Sequence, residues 1–181
     1  MVFGWFKKKK DDNASLHYDP ANIKINQLVK GAFLDFDLKT WEVKAVYEYD
    51  WGDNYFSDEF QLSTADETLY LHVEEDDEIA CTLSEKINIH LIEGDIAEYI
   101  IRTDSPPMKV VYEGETFFRQ SENIGYFRNV DNDMWSELIS WSYYDKDQKK
   151  VLNIERWGEQ DFEASVGRIA QEFEFTNIIM P

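Results

Sequence analysis

The sequence predicts an all-β fold, mainly antiparallel, with few short helices. Apolar and polar residues alternate with a period of two in many short runs, which is typical of half-buried strands. Polar turns join these runs, which favours meanders over βαβ units. The order of runs in residues 36–74 returns in residues 116–155. We therefore predict two pseudo-repeated β-meander halves, packed as a sandwich or as partly closed barrels.

Composition and charge restrict the class of protein. Of the 181 residues, 43% are hydrophobic and 15% aromatic, which is enough to build a core in one domain or two small ones. The formal charge is −19, although four of the 18 basic residues stand together at positions 7–10. Because nucleic-acid binding depends on Lys and Arg releasing counterions from phosphates, this acidic body disfavours a nucleic-acid-binding function.

Cys81 is the single cysteine, which excludes an intrachain disulfide and a cysteine-based metal site. A reduced, cytoplasmic setting fits this usage. The apolar patch at residues 1–6 precedes the lysines instead of following a charged region, so it does not resemble a secretory signal. No apolar run approaches the ~20 residues of a membrane span. We predict a cytoplasmic protein without a cofactor or a metal.

Three segments are predicted. Residues 1–22 are predicted to form an appendage, and the general behaviour of termini favours a merely soluble, frayed segment. The alternative, which its aromatic residues and lysines support, is weak peripheral contact of residues 1–10 with the inner membrane surface. Residues 23–104 form the first β half and residues 105–181 the second, with the boundary at Ser105-Pro106-Pro107.

The strands of the first half follow from alternation of apolar and polar residues. Leu34, Phe36 and Leu38 alternate with aspartates, and a tight connection leads into the strand that begins near Trp41. Further strands are predicted at 56–62, 69–74, 87–91 and 96–102. Residues 79–86 are compatible with one or two helical turns, although Thr82 and its neighbours are poor helix formers.

The second half repeats this plan. A hairpin is predicted at residues 109–120, with Gly114 near its turn, followed by strands at 135–141 and 151–155. Residues 161–171 contain helix formers interrupted by Val166-Gly167. The chain is predicted to end on a strand at residues 172–178.

Glu137 is the most informative acidic residue. Alternation places it on one strand face with Trp135, Ile139, Trp141 and Tyr143, where an ionised carboxylate would be desolvated. Such a group acts as an acid or base at some sites, and at others is a structural carboxylate satisfied by hydrogen bonds. The candidate ligand-binding residues are Glu137, Trp135, Trp141, Glu59 and Glu155.

The order of aromatic, acidic and glycine residues resembles a known bacterial family. The residues that carry the resemblance include Trp41-Glu42-Val43, Glu59-Phe60-Gln61-Leu62, Tyr112-Glu113-Gly114-Glu115 and Trp135-Ser136-Glu137. The pattern resembles the uncharacterised family called domain of unknown function 4178, over about residues 23–178. The resemblance implies a predominantly β domain without an established activity, and it hints at an accessory role linked to membrane stress. Some members carry a Cys-rich zinc ribbon, which this chain with Cys81 alone lacks.

Two functions remain open at this point. The missing catalytic motifs, the acidic body and the many aromatic residues favour a non-enzymatic accessory module that binds a protein partner with a basic surface. The alternative is a binder of a small cationic, polyamine-like molecule, or an enzyme, that uses an acidic and aromatic cleft. The oligomeric state is not predicted.

Overall fold

The computed structural model describes residues 23–181, so the predicted appendage and its membrane contact lie outside the described residues. The all-β prediction is confirmed: eleven antiparallel strands, one α-helix and three 3-10 turns make up the described part. The strands are β1 (Phe33–Phe36), β2 (Lys39–Asp50), β3 (Phe56–Ser63), β4 (Thr68–Glu75), β5 (Ile79–Ile87), β6 (Lys109–Tyr112), β7 (Glu115–Asn129), β8 (Ser136–Tyr144), β9 (Lys150–Arg156), β10 (Phe162–Ala170) and β11 (Thr176–Ile179). The helix is α1 (Ile96–Thr103), and the 3-10 turns are Ile25–Gln27, Ile89–Leu91 and Glu172–Glu174.

The sheet closes on itself. Its strand order is β11-β1-β2-β3-β4-β5-β10-β9-β8-β7-β6, and β2 also pairs with β7. The second pairing joins Tyr47 to Asn129 and Asp50 to Tyr126 in antiparallel register. Strands β2, β3, β4, β5, β10, β9, β8 and β7 therefore form a closed ring of eight.

Each predicted half contributes the same set of elements to this ring. A tight β1–β2 hairpin leads into the meander β2–β5, and a β6–β7 hairpin leads into the meander β7–β10. The two meanders meet at β5–β10 and at β2–β7. The proposed division at residue 105 stays a prediction, because one continuous sheet contains both halves.

The apolar cores cover the outer face of the ring. The first core packs the turn Ile25–Gln27, β1 and Phe175 onto outward-facing residues of β2 to β5, among them Phe60 and Leu71. The second packs α1 and β6 onto outward-facing residues of β7 to β10, among them Trp141 and Leu152. Since each strand alternates its side chains between two faces, this leaves the other face of the ring to line its interior.

Several element predictions are wrong. Residues 79–86 lie in β5, because β4 and β10 pair with this segment on both sides and tertiary pairing outweighs weak helix propensity. The predicted strand at 87–91 ends at Ile87 and continues as a 3-10 turn. The predicted strand at 96–102 is helix α1, whose Ile96 and Ile100 are buried one turn apart. The last segment begins with the 3-10 turn Glu172–Glu174 before β11.

Gly167 permits close packing where the two meanders meet. A Cβ atom at this position would lie 2.1 Å from the Leu83 carbonyl oxygen and 2.6 Å from Ser84 Cα. The sequence shows helix formers in residues 161–171 that Val166-Gly167 interrupts, whereas Phe162–Ala170 form β10, in which the glycine lets β5 approach.

Candidate functional site

The ring of eight strands surrounds a cavity of about 730 Å³. Its wall consists of the inward-facing side chains of these strands and of residues that follow or precede strand ends, such as Trp51, Tyr55, Trp157 and Asp161. A volume of this size is within the range of pockets that hold small organic molecules. The cavity is the candidate site.

One cavity glutamate is paired with a cation. Glu163 on β10 accepts a hydrogen bond of 2.6 Å from Lys86 Nζ on β5. Burial acts to lower the pKa of Lys86, but the hydrogen bond to Glu163 and the charge of that carboxylate outweigh it and raise the pKa. Lys86 is therefore a fixed positive charge, and it neutralises Glu163.

A second glutamate, Glu74 on β4, is held by its neighbours. The hydroxyl of Tyr55 donates a hydrogen bond of 2.6 Å to Glu74, and His72 Nε2 lies 3.5 Å from the other carboxylate oxygen. The interaction with His72 is the main reason why the pKa of Glu74 is lowered, and the Tyr55 hydrogen bond adds to it. Glu74 is therefore ionised and already has partners.

Glu59 and Glu155 have no such partner. They face the cavity from β3 and β9, which are four strands apart in either direction around the ring. Among residues 23–181, no Lys or Arg lies within 4.0 Å of either carboxylate. Burial raises the pKa of Glu155 to about 8, and the charges of Glu59 and Glu163 add to the rise. Burial also raises the pKa of Glu59, against smaller effects of His72 and Lys86.

Tyr49 links the aromatic part of the wall to Glu59. Its side chain is 3% exposed, and its hydroxyl oxygen lies 3.4 Å from Glu59 Oε1. Burial, followed by the nearby carboxylates, raises the pKa of Tyr49 well above its ordinary value, so the phenol keeps its proton and can donate it. The ring stacks on Trp51 and meets the edge of Phe127, with centroids 5.2 and 5.1 Å apart.

The wall divides into two arcs of four adjacent strands. We call β7, β2, β3 and β4 the aromatic arc, because they and the β2–β3 loop contribute Tyr47, Tyr49, Trp51, Tyr55, Tyr70 and Phe127. We call β5, β10, β9 and β8 the hydroxyl arc, because they contribute Thr82, Ser84, Ser136, Ser140, Ser142, Asn153 and Ser165. Asn123 on β7, Tyr144 on β8 and Trp157 after β9 are the exceptions to this division. Glu59 belongs to the aromatic arc and Glu155 to the hydroxyl arc.

Comparison with known proteins gives a family without an assigned function. The family model "Domain of unknown function (DUF4178)" matches residues 30–172. The chain belongs to this family. A relative from Aquifex aeolicus (strain VF5), described as "Uncharacterized protein", is 27% identical over 156 residues, which cover 86% of this chain and 84% of that protein. No solved structure matches the chain.

Of the five candidate site residues, this DUF4178 domain brings Glu59 and Glu155 into the cavity. Glu137 is exposed on the outer face of β8, so the expected desolvation of its carboxylate is wrong. Trp135 precedes β8, and the guanidinium carbon of Arg128 lies 4.7 Å from the centroid of the Trp135 ring. Trp141 is buried in the second outer core.

The sequence alternation correctly places Glu137 and Trp141 on one face of β8, but this face is the outer face of the ring and does not line the cavity. Trp141 is 1% exposed, and its Nε1 donates a hydrogen bond of 2.9 Å to Glu122. The shared face of Glu137 and Trp141 points outward, where α1 and β6 cover Trp141 but leave Glu137 uncovered. The assignment of all five as ligand-binding residues stays a prediction.

Sequence reasoning missed Lys86 and Glu163. Both lie in segments whose helix-forming residues concealed their strand character, at 79–86 and 161–171. A signal was present in β5, where Thr82, Ser84 and Lys86 alternate with the buried residues Cys81 and Leu83. This period of two would have placed Lys86 on the same face as the small hydroxyl residues.

The described part of this DUF4178 domain has neither a metal-ligand cluster nor a membrane-spanning helix. No group of three or more His, Cys, Asp or Glu side chains among residues 23–181 is arranged to hold a metal ion. The described residues also include no helix with the length and apolarity needed to cross a membrane.

Proposed function

We propose that this DUF4178 domain binds a small organic cation, whose ammonium group enters the cavity between Glu59 and Glu155. One observation carries the proposal. The cavity holds four glutamates, and the two with raised pKa values are those without a basic or strong hydrogen-bonding partner in the described residues. A cationic ligand would supply the partner that Glu59 and Glu155 lack.

The physical chemistry favours an ammonium with N–H groups. An ionised carboxylate in a desolvated site is costly unless it is paired and hydrogen-bonded. Glu59 has one contact of 3.4 Å with the Tyr49 hydroxyl, so both carboxylates keep free acceptor positions. An N–H of a primary or secondary ammonium fills such a position with a charge-assisted hydrogen bond, which a quaternary ammonium cannot do.

The aromatic arc supports the same ligand class. The rings of Tyr47 and Tyr49 each contact the ring of Phe127, at a centroid distance of 5.1 Å in both cases. Ring faces attract cations, and they also pack against the carbon chain or ring that carries an amine. A polyamine-like molecule has these features and is one member of the proposed class.

Thermal melting tests the proposal. Spermidine should raise the melting temperature of the full chain more than sodium and magnesium chloride do at matched ionic strength. Glu155→Gln should remove most of this excess, because it deletes the charge that the ammonium pairs with. Glu137→Gln is the matched control and should keep it, since Glu137 lies on the outer face.

The proposal fails if spermidine and the salts give equal shifts in the wild-type protein. It fails equally if Glu137→Gln and Glu155→Gln lose the excess shift to the same extent, because the effect would then come from overall charge.

A protein partner with a basic surface is a second candidate function. An apolar patch on the outer side of β7 and the β7–β8 loop favours it, in which Ile124 is 60%, Tyr126 49% and Met134 73% exposed. The acidic side chains of Glu122 and Glu137 lie on the neighbouring strand positions, and they would attract a basic surface. We propose docking of such a partner here as an accessory role.

Salt-sensitive capture of partner proteins tests the second candidate. The wild-type protein should retain a partner protein at low salt and release it at high salt. An Ile124→Ser/Tyr126→Ser variant should not retain the partner at either salt concentration. Phe173→Ser is the control, because Phe173 is 79% exposed outside this patch. Equal capture by both variants would contradict docking at the patch.

The cytoplasmic location, with peripheral contact of residues 1–10 at the inner membrane surface, remains a proposal. The lysines at 7–10 support it through their attraction to anionic lipid. Vesicles with anionic lipid should sediment the full chain but not a chain that lacks residues 1–10. Equal sedimentation of the two would refute the contact.

A further inference from the structure

We infer that the ligand is a polyhydroxylated amine of the amino-sugar class. This inference rests on the proposed function, and it adds which chemical groups accompany the ammonium. The carrying observation is the asymmetry of the wall, with aromatic rings on one arc and small hydroxyl and amide side chains on the other.

The hydroxyl arc offers hydrogen-bonding groups that the other described residues do not use. No hydrogen bond to another residue in 23–181 is made by the side chains of Ser84, Ser140 and Ser165, although all three line the cavity. Ser84 and Ser140 are only 7% and 6% exposed. Ser57 shows the opposite case, because its hydroxyl accepts a hydrogen bond of 2.8 Å from Trp51 Nε1.

Two further polar atoms of the wall, on β9 and directly after it, have no partner among the described residues. Asn153 Oδ1 and Trp157 Nε1 are buried and make no hydrogen bond within the described residues. Asn153 and Glu155 alternate along β9, and Trp157 follows at the next inward position, so an acceptor, a carboxylate and a donor succeed one another along about 13 Å of strand. Unsatisfied buried atoms also occur outside the cavity, at Asn26 Oδ1 and Arg128 Nε, and all four are closed to solvent, so the unpaired serine hydroxyls are the groups that a ligand in the cavity would meet.

The aromatic arc offers a ligand apolar ring surfaces, in contrast to the hydrogen-bonding groups of the hydroxyl arc. Rings pack against flat, apolar C–H faces, and a pyranose ring has such a face together with a rim of hydroxyl groups. A sugar between the two arcs would place its C–H face on the half-buried rings of the aromatic arc, such as Tyr47 and Tyr70, its hydroxyls on the serines, and its ammonium at Glu155. A cavity of about 730 Å³ has room for a mono- or disaccharide.

A simple alkylamine would leave half of this wall unused. It satisfies Glu59 and Glu155, but it offers nothing to Ser140, Ser142 or Asn153. Sites whose polar groups stay unpaired with an analogue discriminate strongly against it. The structure therefore favours hydroxylated over alkyl amines at equal charge.

Calorimetric titration of the full chain with three matched probes tests the inference. D-Glucosamine carries the amine and the hydroxyls, cyclohexylamine carries the amine on a bare ring, and D-glucose carries the hydroxyls without the amine. At one ionic strength and a pH of about 6.5, which keeps both amines protonated, glucosamine should bind roughly tenfold or more tightly than cyclohexylamine, the equivalent of one or two extra hydrogen bonds. Glucose should bind more weakly than glucosamine.

A serine variant assigns the preference to the hydroxyl arc. Ser140→Ala/Ser142→Ala should weaken glucosamine binding several-fold and leave cyclohexylamine binding unchanged, which also shows that the variant is folded. Ser63→Ala is the control and should bind both as the wild type does, because Ser63 pairs with Thr68 away from the cavity.

The possible failures are distinguishable. If cyclohexylamine binds as tightly as glucosamine, the amino-sugar inference is overturned while the cation-binding function stands. If glucose binds as tightly as glucosamine, or if no probe binds, the cation-binding function fails and the inference fails with it.

Discussion

At the scale of single residues, Glu155 and Glu163 show how the cavity distributes its charge. They are direct cross-strand neighbours on β9 and β10, and like charges in that position repel each other. Lys86 relieves one of the two by its hydrogen bond to Glu163. The remaining carboxylate, Glu155, is left with a pKa of about 8 and is the group that a ligand would stabilise in its charged form.

Replacing Glu155 should make the protein more stable at alkaline pH. The folded state of the wild type holds an extra proton between pH 4.5, the ordinary pKa of a glutamate, and about pH 8, so its stability falls as the pH rises through this window. Glu155→Gln has no such proton to lose. Urea denaturation should give nearly equal stabilities at pH 5 and an advantage for Glu155→Gln on the order of 2 kcal/mol above pH 8. Parallel pH profiles for the two proteins would show that Glu155 titrates normally.

Removing the cation that pairs with Glu163 should have the opposite effect. Lys86→Met leaves Glu163 without its counter-charge, so we expect a loss of about 1 kcal/mol at neutral pH, given that the Lys86–Glu163 pair is partly solvated. The loss should grow above pH 8, where Glu155 ionises as well. Lys44→Met is the matched control, because the Lys44–Glu42 pair lies outside the cavity and should contribute little. Equal losses in both variants would argue against a special role of Lys86.

At the scale of elements, α1 is the clearest departure from the sequence prediction. Ile96 and Ile100 are one helical turn apart and both are buried, whereas the adjacent Ile101 is 45% exposed. The local spacing of these three isoleucines is compatible with a strand or with a helix. The helix forms because it places Ile96 and Ile100 on one side, where the second core buries them.

Truncation at adjacent positions measures what α1 contributes. Ile100→Ala removes a fully buried side chain and should cost about 3 kcal/mol in the free energy of unfolding. Ile101→Ala should cost well under about 1 kcal/mol, since the side chain is half exposed. Denaturant titration of both variants gives the comparison, and similar costs would mean that the helix packs on another face.

The junction between β5 and β10 depends on one glycine. Gly167→Ala would push a methyl group against the Leu83 carbonyl oxygen, so β5 and β10 must separate locally. We expect a loss of about 2 kcal/mol or more by denaturant titration, comparable to overpacking in a core. Ser165→Ala, on the same strand, should be nearly neutral. A neutral Gly167→Ala would show that the two strands are not in close contact.

The element pattern explains which parts of the fold the sequence could predict. The strands around Trp41, Phe60 and Leu152 alternate cleanly, because one face meets an outer core and the other meets the cavity. The segments 79–86 and 161–171 were harder, because their small and charged residues have weak strand propensity and become strands by pairing with each other. Lys86 and Glu163 were missed for this reason, while Glu59 and Glu155 were found in the better-patterned strands.

At the scale of the whole molecule, closure of the sheet decides what the interior can do. Two curved meanders that stacked face to face would bury apolar side chains between them. Here they join at both edges, and the apolar faces are covered from outside by β1, β6, β11 and α1. Local patterns cannot reveal this choice, because the β2–β7 pairing joins residues about 80 positions apart. The enclosed wall is free to be polar, and it carries the candidate site.

The most direct test of cation binding at Glu155 is the proton balance of binding. Spermidine should lower the pKa of Glu155, so binding near pH 7.5 should release a proton, and the calorimetric heat should vary with the ionisation enthalpy of the buffer. The account predicts this dependence for the wild type and for Glu137→Gln, and its loss in Glu155→Gln. Binding with the same heat in every buffer, or proton release that survives in Glu155→Gln, would contradict it.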